Sequence, residues 1–300
     1  MCQINFSTFL RLSGEKELVE LCDQVQEIAP IDEPFAARLI SLVRMHMATG
    51  SHPDAVQTWI DTHRFADVDA VIDERIERLM HRSAQTLHLN ESACRISWKQ
   101  IPSQLARENT RFHNLRSSEA PASSTVESLL LHLTEQGIIR RVRRLDRPQK
   151  PLEQYVHQSQ YKYYLTDTGL YRRLAGFDGQ SVNRESPALS RFRGILSESY
   201  ALEALSRLSD AGPWYWKSGN RAEVDFIIRI SGIVFPVEVK TARNVKSHSL
   251  ALYRHLHAPE TAIRLSLLNL KRDDDLINIP FYLIDRIGAL LSPMLRKETP

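Results

Sequence analysis

The chain has 300 residues, 42% of them hydrophobic and 25% charged, with a formal net charge of +3. That is the make-up of an ordinary folded chain with room for two or three domains, and so small a net charge does not by itself argue for nucleic acid. Cys2, Cys22 and Cys94 stand far apart without CxxC spacing, which argues against a zinc site or a disulfide framework and for a reducing compartment. No run of eighteen apolar residues and no signal-peptide pattern occurs, so the reading is a soluble cytoplasmic protein with no membrane contact.

From Phe6 to about Leu89 the pattern is helical. Phe35, Leu39, Leu42 and Val43 form one stripe, and Val68, Ile72, Ile76 and Leu79 another at spacings of three and four. Pro53 followed by Asp54 and Ala55 reads as a helix start after the break at Gly50-Ser51. Residues 1–90 are therefore expected to be an N-terminal helical bundle, whose His46, His52 and His63 lack metal-ligand spacing.

Residues 91–165 change texture. "SWKQIPSQLARE" reads as a helix, "NTRFHNLRSSEAPASS" as a loop, and "SSTVESLLLHLTEQGII" as a second helix with Leu129, Leu130 and Leu133 inward. Ser124 and Glu127 form a capping box at its start. The helix stops at Gly137, and Ile138 to Leu145 alternates apolar and basic residues as a strand, with "QYKYYLTDTG" as its return. Helix, helix and a basic strand pair is the order of a winged helix. Arg140, Arg141, Arg143, Arg144, Arg147 and Lys150 form the densest positive cluster in the chain and are the candidate nucleic-acid contacts, since they can neutralise phosphates. The alternative is a solvated edge strand protected by its charges, or a contact to another subunit.

Residues 166–300 read as mixed α/β: helix "FRGILSESYALEALSRL", short strand "PWYWKS", hairpin "AEVDFIIRI" and "IVFPVEVK", helix "SHSLALYRHLH", strand "TAIRLSLL" and a last strand "IPFYLID". Trp214 and Trp216 are expected in the core, and the run Asp273 to Asp275 in a solvated loop. The end, "SPMLRKETP", reads as frayed.

The hairpin holds the chemistry. A turn at Ser231-Gly232 sets Ile230 against Ile233, and counting outward sets Asp225 opposite Glu238. Alternation puts Val224, Phe226, Ile228 and Ile230 on one face and Asp225, Glu238 and Lys240 on the other. Like charges across a strand pair cost up to about 1 kcal/mol, so the pair asks for a cation between them or a proton on one. On the preceding helix, Glu198 sits in an apolar stripe with Ile195, Leu202 and Leu205, where a carboxylate needs a partner. Glu203 falls on the outer face near Arg207. Glu198, Asp225 and Glu238 with Lys240 are the candidate catalytic set, the three acids being the candidate metal ligands. Carboxylates that hold Mg²⁺ beside a lysine suit phosphodiester hydrolysis. Ser197 and His248 make no nucleophile-base pattern.

"AEVDF", "PVEVK" and the upstream Glu198 resemble the PD-(D/E)xK nuclease-like core. "RGILSESYALEAL", "YYLTDTGL", "YWKSGNRAEVDFII", "PVEVKTARNVKSHSLALYR" and "INIPFYLI" are similar to the C-terminal domain of unknown function in a large prokaryotic family of AAA-type ATPases. "NFSTFLRL" resembles the segment that follows that family's ATPase core. The eleven glycines fall in neither GxxxxGK[ST] nor GxGxxG, so ATP binding by this chain is not expected. The resemblance implies an ATPase core ahead of residue 1, and the chain is read either as a fragment of a longer product or as a truncated relative. It implies a DNA-associated protein with DNA, an ATPase core or a second copy as partner. The alternatives to Mg²⁺-dependent cleavage are an inactive nuclease-fold scaffold and an accessory module of an ATPase.

Overall fold

Local signals start and stop many of the elements in the computed structural model, which describes residues 3–107, 123–184, 186–219, 222–241 and 248–295. The chain runs through α1 (Phe6–Leu12), α2 (Lys16–Gln24), α3 (Glu33–Thr49), α4 (Pro53–Thr62), α5 (Phe65–Thr86), α6 (Glu91–Gln104) and α7 (Ser123–Glu135). There follow β1 (Ile139–Leu145), β2 (Val156–Leu165), α8 (Thr168–Leu174), α9 (Ser190–Leu208), β3 (Ala211–Ser218), β4 (Ala222–Ile230) and β5 (Ile233–Val239). Then come α10 (His248–His257), β6 (Ala262–Ser266), β7 (Lys271–Asp273), β8 (Leu276–Pro280) and α11 (Ile287–Leu295). Asn5, Asn90 and Asp167 cap α1, α6 and α8 through side-chain oxygens that accept backbone N–H groups, and Pro53 opens α4 as the sequence reading expects. Gly137 takes a positive φ of 69° just past α7, a conformation open to glycine without strain. No helix among the described residues is long and apolar enough to cross a membrane.

The fold is mixed α/β, and its strands form one eight-stranded sheet in the order β2-β1-β3-β4-β5-β6-β8-β7. β3-β4, β4-β5 and β7-β8 pair antiparallel, whereas β1-β3, β5-β6 and β6-β8 pair parallel. β1 lies between β2 and β3, so the expectation of a solvated edge strand fails. Its buried residues are Ile139, Val142 and Leu145, every third position rather than every second. The arginine pairs between them are half-buried, and Arg144 donates to Lys217 O of β3.

The chain divides into two compact units that interleave along the sequence: residues 1–4, 47–141 and 159–199 in one, and residues 5–46, 142–158 and 200–300 in the other. β1, β2 and α9 each begin in one unit and end in the other.

In the first unit, Val68, Ile72 and Ile76 of α5 are buried as their spacing requires, while Leu79 is half-buried. Trp98 and Ile101 of α6 and Leu129, Leu130 and Leu133 of α7 are buried as well. The loop expected at "NTRFHNLRSSEAPASS" lies almost wholly outside the described residues, as does the Ser124 side chain of the capping box. The unit is also tied by buried charge. Arg172, fully buried, donates to Ala48 O at 2.8 Å, Phe177 O at 2.9 Å and Asp69 Oδ1 at 2.6 Å. Asp167, 3% exposed, accepts from Leu170 N, Ser51 N, Ser51 Oγ and Arg75 Nη1.

In the second unit, Leu39, Leu42 and Val43 are buried but Phe35 is 42% exposed, so the stripe begins one turn later than the periodicity suggests. Trp214 and Trp216 join Val224, Ile227, Leu250 and Tyr253 in a core that α10 covers. The expected last strand is displaced. β8 takes Leu276–Pro280, and Phe281–Arg286 continues as a 3-10 helix, since Pro280 has no N–H to carry the ladder on. Asp273 closes β7, Asp274 takes a positive φ of 56° in the turn, and Asp275 forms an ion pair with Arg254, so the acidic run forms a hairpin turn whose Asp273 and Asp274 are exposed to solvent as expected. Ser292 to Leu295 of the expected frayed end belong to α11.

Asp167→Ala removes four accepted hydrogen bonds and leaves Arg75 buried without its carboxylate. The expected loss is about 3–5 kcal/mol, read by urea denaturation, with Asp167→Asn losing clearly less because the amide oxygen still caps α8.

Candidate functional site

β4 and β5 are joined by Ser231 and Gly232, both at positive φ (49° and 81°), the mirror-image turn whose twist suits an antiparallel pair. Ile230 faces Ile233, Ile228 faces Phe235 and Phe226 faces Val237; one step further out, Asp225 stands beside Glu238. The ladder ends at Phe226 and Val237, and continuing its register sets Asp225 opposite Glu238. The Val239 N–H donates to Asp225 Oδ2 at 2.7 Å. The aspartate thus takes up a backbone donor at the end of the ladder and is fixed against β5.

Glu238 is 3% exposed and accepts from Lys240 Nζ at 2.6 Å. Burial lowers the Lys240 pKa, but the hydrogen bond and charge of Glu238, followed by the charge of Asp225, outweigh it and leave the ammonium above its usual range. A raised lysine pKa contributes stability that is fully present below the unfolded value and fades only as pH climbs through the folded one. Lys240 is therefore a cation rather than a proton acceptor across neutral pH.

A fourth charge joins them from β6. Arg264 is in parallel register with Glu238, and paired residues of parallel strands share a face. The same signal that marks Asp225, a lone charge in the apolar strand "TAIRLSLL", was available for it, but its place beside Glu238 depends on a strand order that the sequence does not state.

Glu198 lies in the first unit, half-buried on α9 between the buried Ile195 and Leu202. Its partner is the Tyr164 hydroxyl, which donates to Glu198 Oε2 at 2.8 Å; a tyrosine of β2 carries no sequence signal that would pair it with this helix. Arg207 reaches Asp285 at 3.2 Å. Among the described residues no three His, Cys, Asp or Glu side chains stand close enough together to hold a metal ion, so the hairpin offers a carboxylate pair.

The basic cluster is divided. Arg140 and Arg141 belong to the first unit, where the Arg141 guanidinium lies 5.3 Å from the centre of the Tyr161 ring. Arg143, Arg144, Arg147 and Lys150 belong to the second. Arg144 pairs with Asp146 at 3.0 Å, and Arg147 and Lys150 are exposed.

Residues 193–282 match the family described as Domain of unknown function (DUF4143), a stretch that contains Glu198, Asp225, Glu238, Lys240 and Arg264. Residues 40–181 match Domain of unknown function (DUF8612). Two uncharacterized proteins, from Mycobacterium bovis and Mycobacterium tuberculosis, are each 35% identical over 80 residues, which is 26% of this chain and 17% of each relative. The match thus spans about a sixth of the length of these relatives. No solved structure is significantly similar to the chain.

Lys240→Ala strips the cation from a nearly buried carboxylate. The expected cost is about 2 kcal/mol, under the range for a wholly buried pair because Lys240 is 29% exposed. Adding Glu238→Gln removes the stranded charge, and the double variant recovers most of the loss in thermal or urea unfolding.

Proposed function

We propose that the hairpin carries a Mg²⁺-dependent phosphodiester hydrolase site of the PD-(D/E)xK kind, acting on DNA, in a chain related to the C-terminal part of the AAA-type ATPase family. The observation that carries this reading is the convergence of Asp225, Glu238 and Lys240 at one end of a register-fixed hairpin. Mg²⁺ is held by one or two carboxylates with waters completing its shell, so a two-acid pair suits it. Asp225 and Glu238 would hold the ion, which when bound acidifies a water and polarises the phosphate. Lys240, charged at neutral pH, stabilises negative charge on a phosphoryl oxygen, and the Val239 amide holds Asp225 in place. Arg147 and Lys150, exposed beyond β1, supply phosphate contacts, and the helix, helix, strand-pair order of α6, α7, β1 and β2 is consistent with a winged helix around them.

One observation favours a second reading. Lys240 already pairs with Glu238 through Oε1 at 2.6 Å, as in a nuclease-derived scaffold that binds DNA or an ATPase partner without cutting it. The two readings part in one experiment. Supercoiled plasmid is incubated with wild type, Asp225→Ala and Lys240→Ala in Mg²⁺ or Mn²⁺, and Mg²⁺ binding is followed by calorimetry. Nicking by wild type that falls at least about 100-fold in both variants supports the hydrolase. Equal nicking by all three proteins ends it, and absent nicking with no heat of Mg²⁺ binding leaves the scaffold.

A further inference from the structure

Polar side chains sit in one row across the sheet where β5, β6 and β8 run parallel: Glu238, then Arg264, then Asn278 in register. The outer two are committed. Glu238 accepts from Lys240, and Asn278 donates to Leu268 O and Asn269 O and accepts from Ser266 Oγ. Arg264 differs. Its Nε is buried and makes no hydrogen bond, and no carboxylate among the described residues forms an ion pair with its guanidinium. The charges of Glu238 and Asp273 favour it through space, while burial and Arg254 oppose it. A buried Nε without an acceptor costs stability, because it gives up water without a hydrogen bond in exchange. Arginine presents a planar fork that matches two oxygens of one phosphate, and it stays charged under all ordinary conditions.

We infer that Arg264 is the phosphate-binding residue of the hairpin site, gripping the non-bridging oxygens of a nucleic-acid phosphodiester. The inference rests on the hydrolase reading for the identity of its ligand. Arg264 on β6 and Lys240 just past β5 both adjoin Glu238, so a phosphate held by the arginine lies beside the acids.

The test measures binding of a 5′-phosphorylated thymidine dinucleotide to the full chain by calorimetry, in EDTA so that no cleavage enters. Wild type binds, Arg264→Ala binds at least about 10-fold more weakly, and the slope of log affinity against log salt falls by about one ion. Arg264→Lys, which keeps the charge but loses the fork, falls between them. Should the alanine variant fail to fold by circular dichroism, the lysine variant decides: a several-fold loss supports the inference and unchanged affinity overturns it. Equal affinity of wild type and Arg264→Ala, or no binding by wild type, also overturns it. Arginine-dependent binding in a chain that never nicks plasmid removes the hydrolase reading and keeps the phosphate site; nicking with binding indifferent to Arg264 does the reverse.

Discussion

The hairpin register is the constraint on which the candidate site depends. Because side chains alternate strictly along a strand, a slip of one residue between β4 and β5 would carry Glu238 and Lys240 to the opposite face from Asp225. The turn prevents it, since Ser231 and Gly232 adopt the two positive φ values that a two-residue connection demands. Pro236 adds a second lock. It faces Ile227 at a non-bonded pair, so its missing N–H is not required by β4, and β6 begins to pair only at Val237. A slip of one residue would place proline where β4 expects a donor.

The central position of these strands raises the stakes for every charge on them. β4 and β5 have neighbours on both sides, and Phe226, Ile227, Ile228 and Val237 are fully buried. Glu238 is held in this apolar setting by a lysine two residues on, on the same face, and Asp225 by a backbone amide of the facing strand. Both of these partners belong to the hairpin or the residue that follows it. Arg264 is the exception, since it reaches the row through the crossover that brings β6 alongside β5.

What the sequence made legible follows the range of the interactions. Helices with strong apolar spacing, α5 and α7 among them, and the hairpin with its turn were readable because three- and four-residue or two-residue periods and a Ser-Gly turn are local signals. The pairing of Asp225 with Glu238 was readable for the same reason. The status of β1 was not: its arginines suggest an edge, while its place between β2 and β3 is set by pairing with Trp214 to Trp216, about seventy residues away in sequence. Tyr164 as the partner of Glu198, and Arg264 beside Glu238, were hidden by the same long-range pairing. The β8 boundary was missed because "IPFYLI" is apolar enough for either strand or helix, and Pro280 decides it only once the ladder is known.

The electrostatics of the site also bear on how it can work. A lysine whose pKa lies above its usual value does not deprotonate near neutrality, so Lys240 cannot accept a proton from water at working pH. In the proposed site its contribution is its fixed positive charge, offered to Glu238 at rest and, under that proposal, to a phosphoryl oxygen of a bound ligand. The Glu238 charge favours Arg264 through space, yet its Nε is buried without a hydrogen bond. The unengaged guanidinium therefore weighs toward a site that receives an anionic ligand, whether or not that ligand is then cleaved.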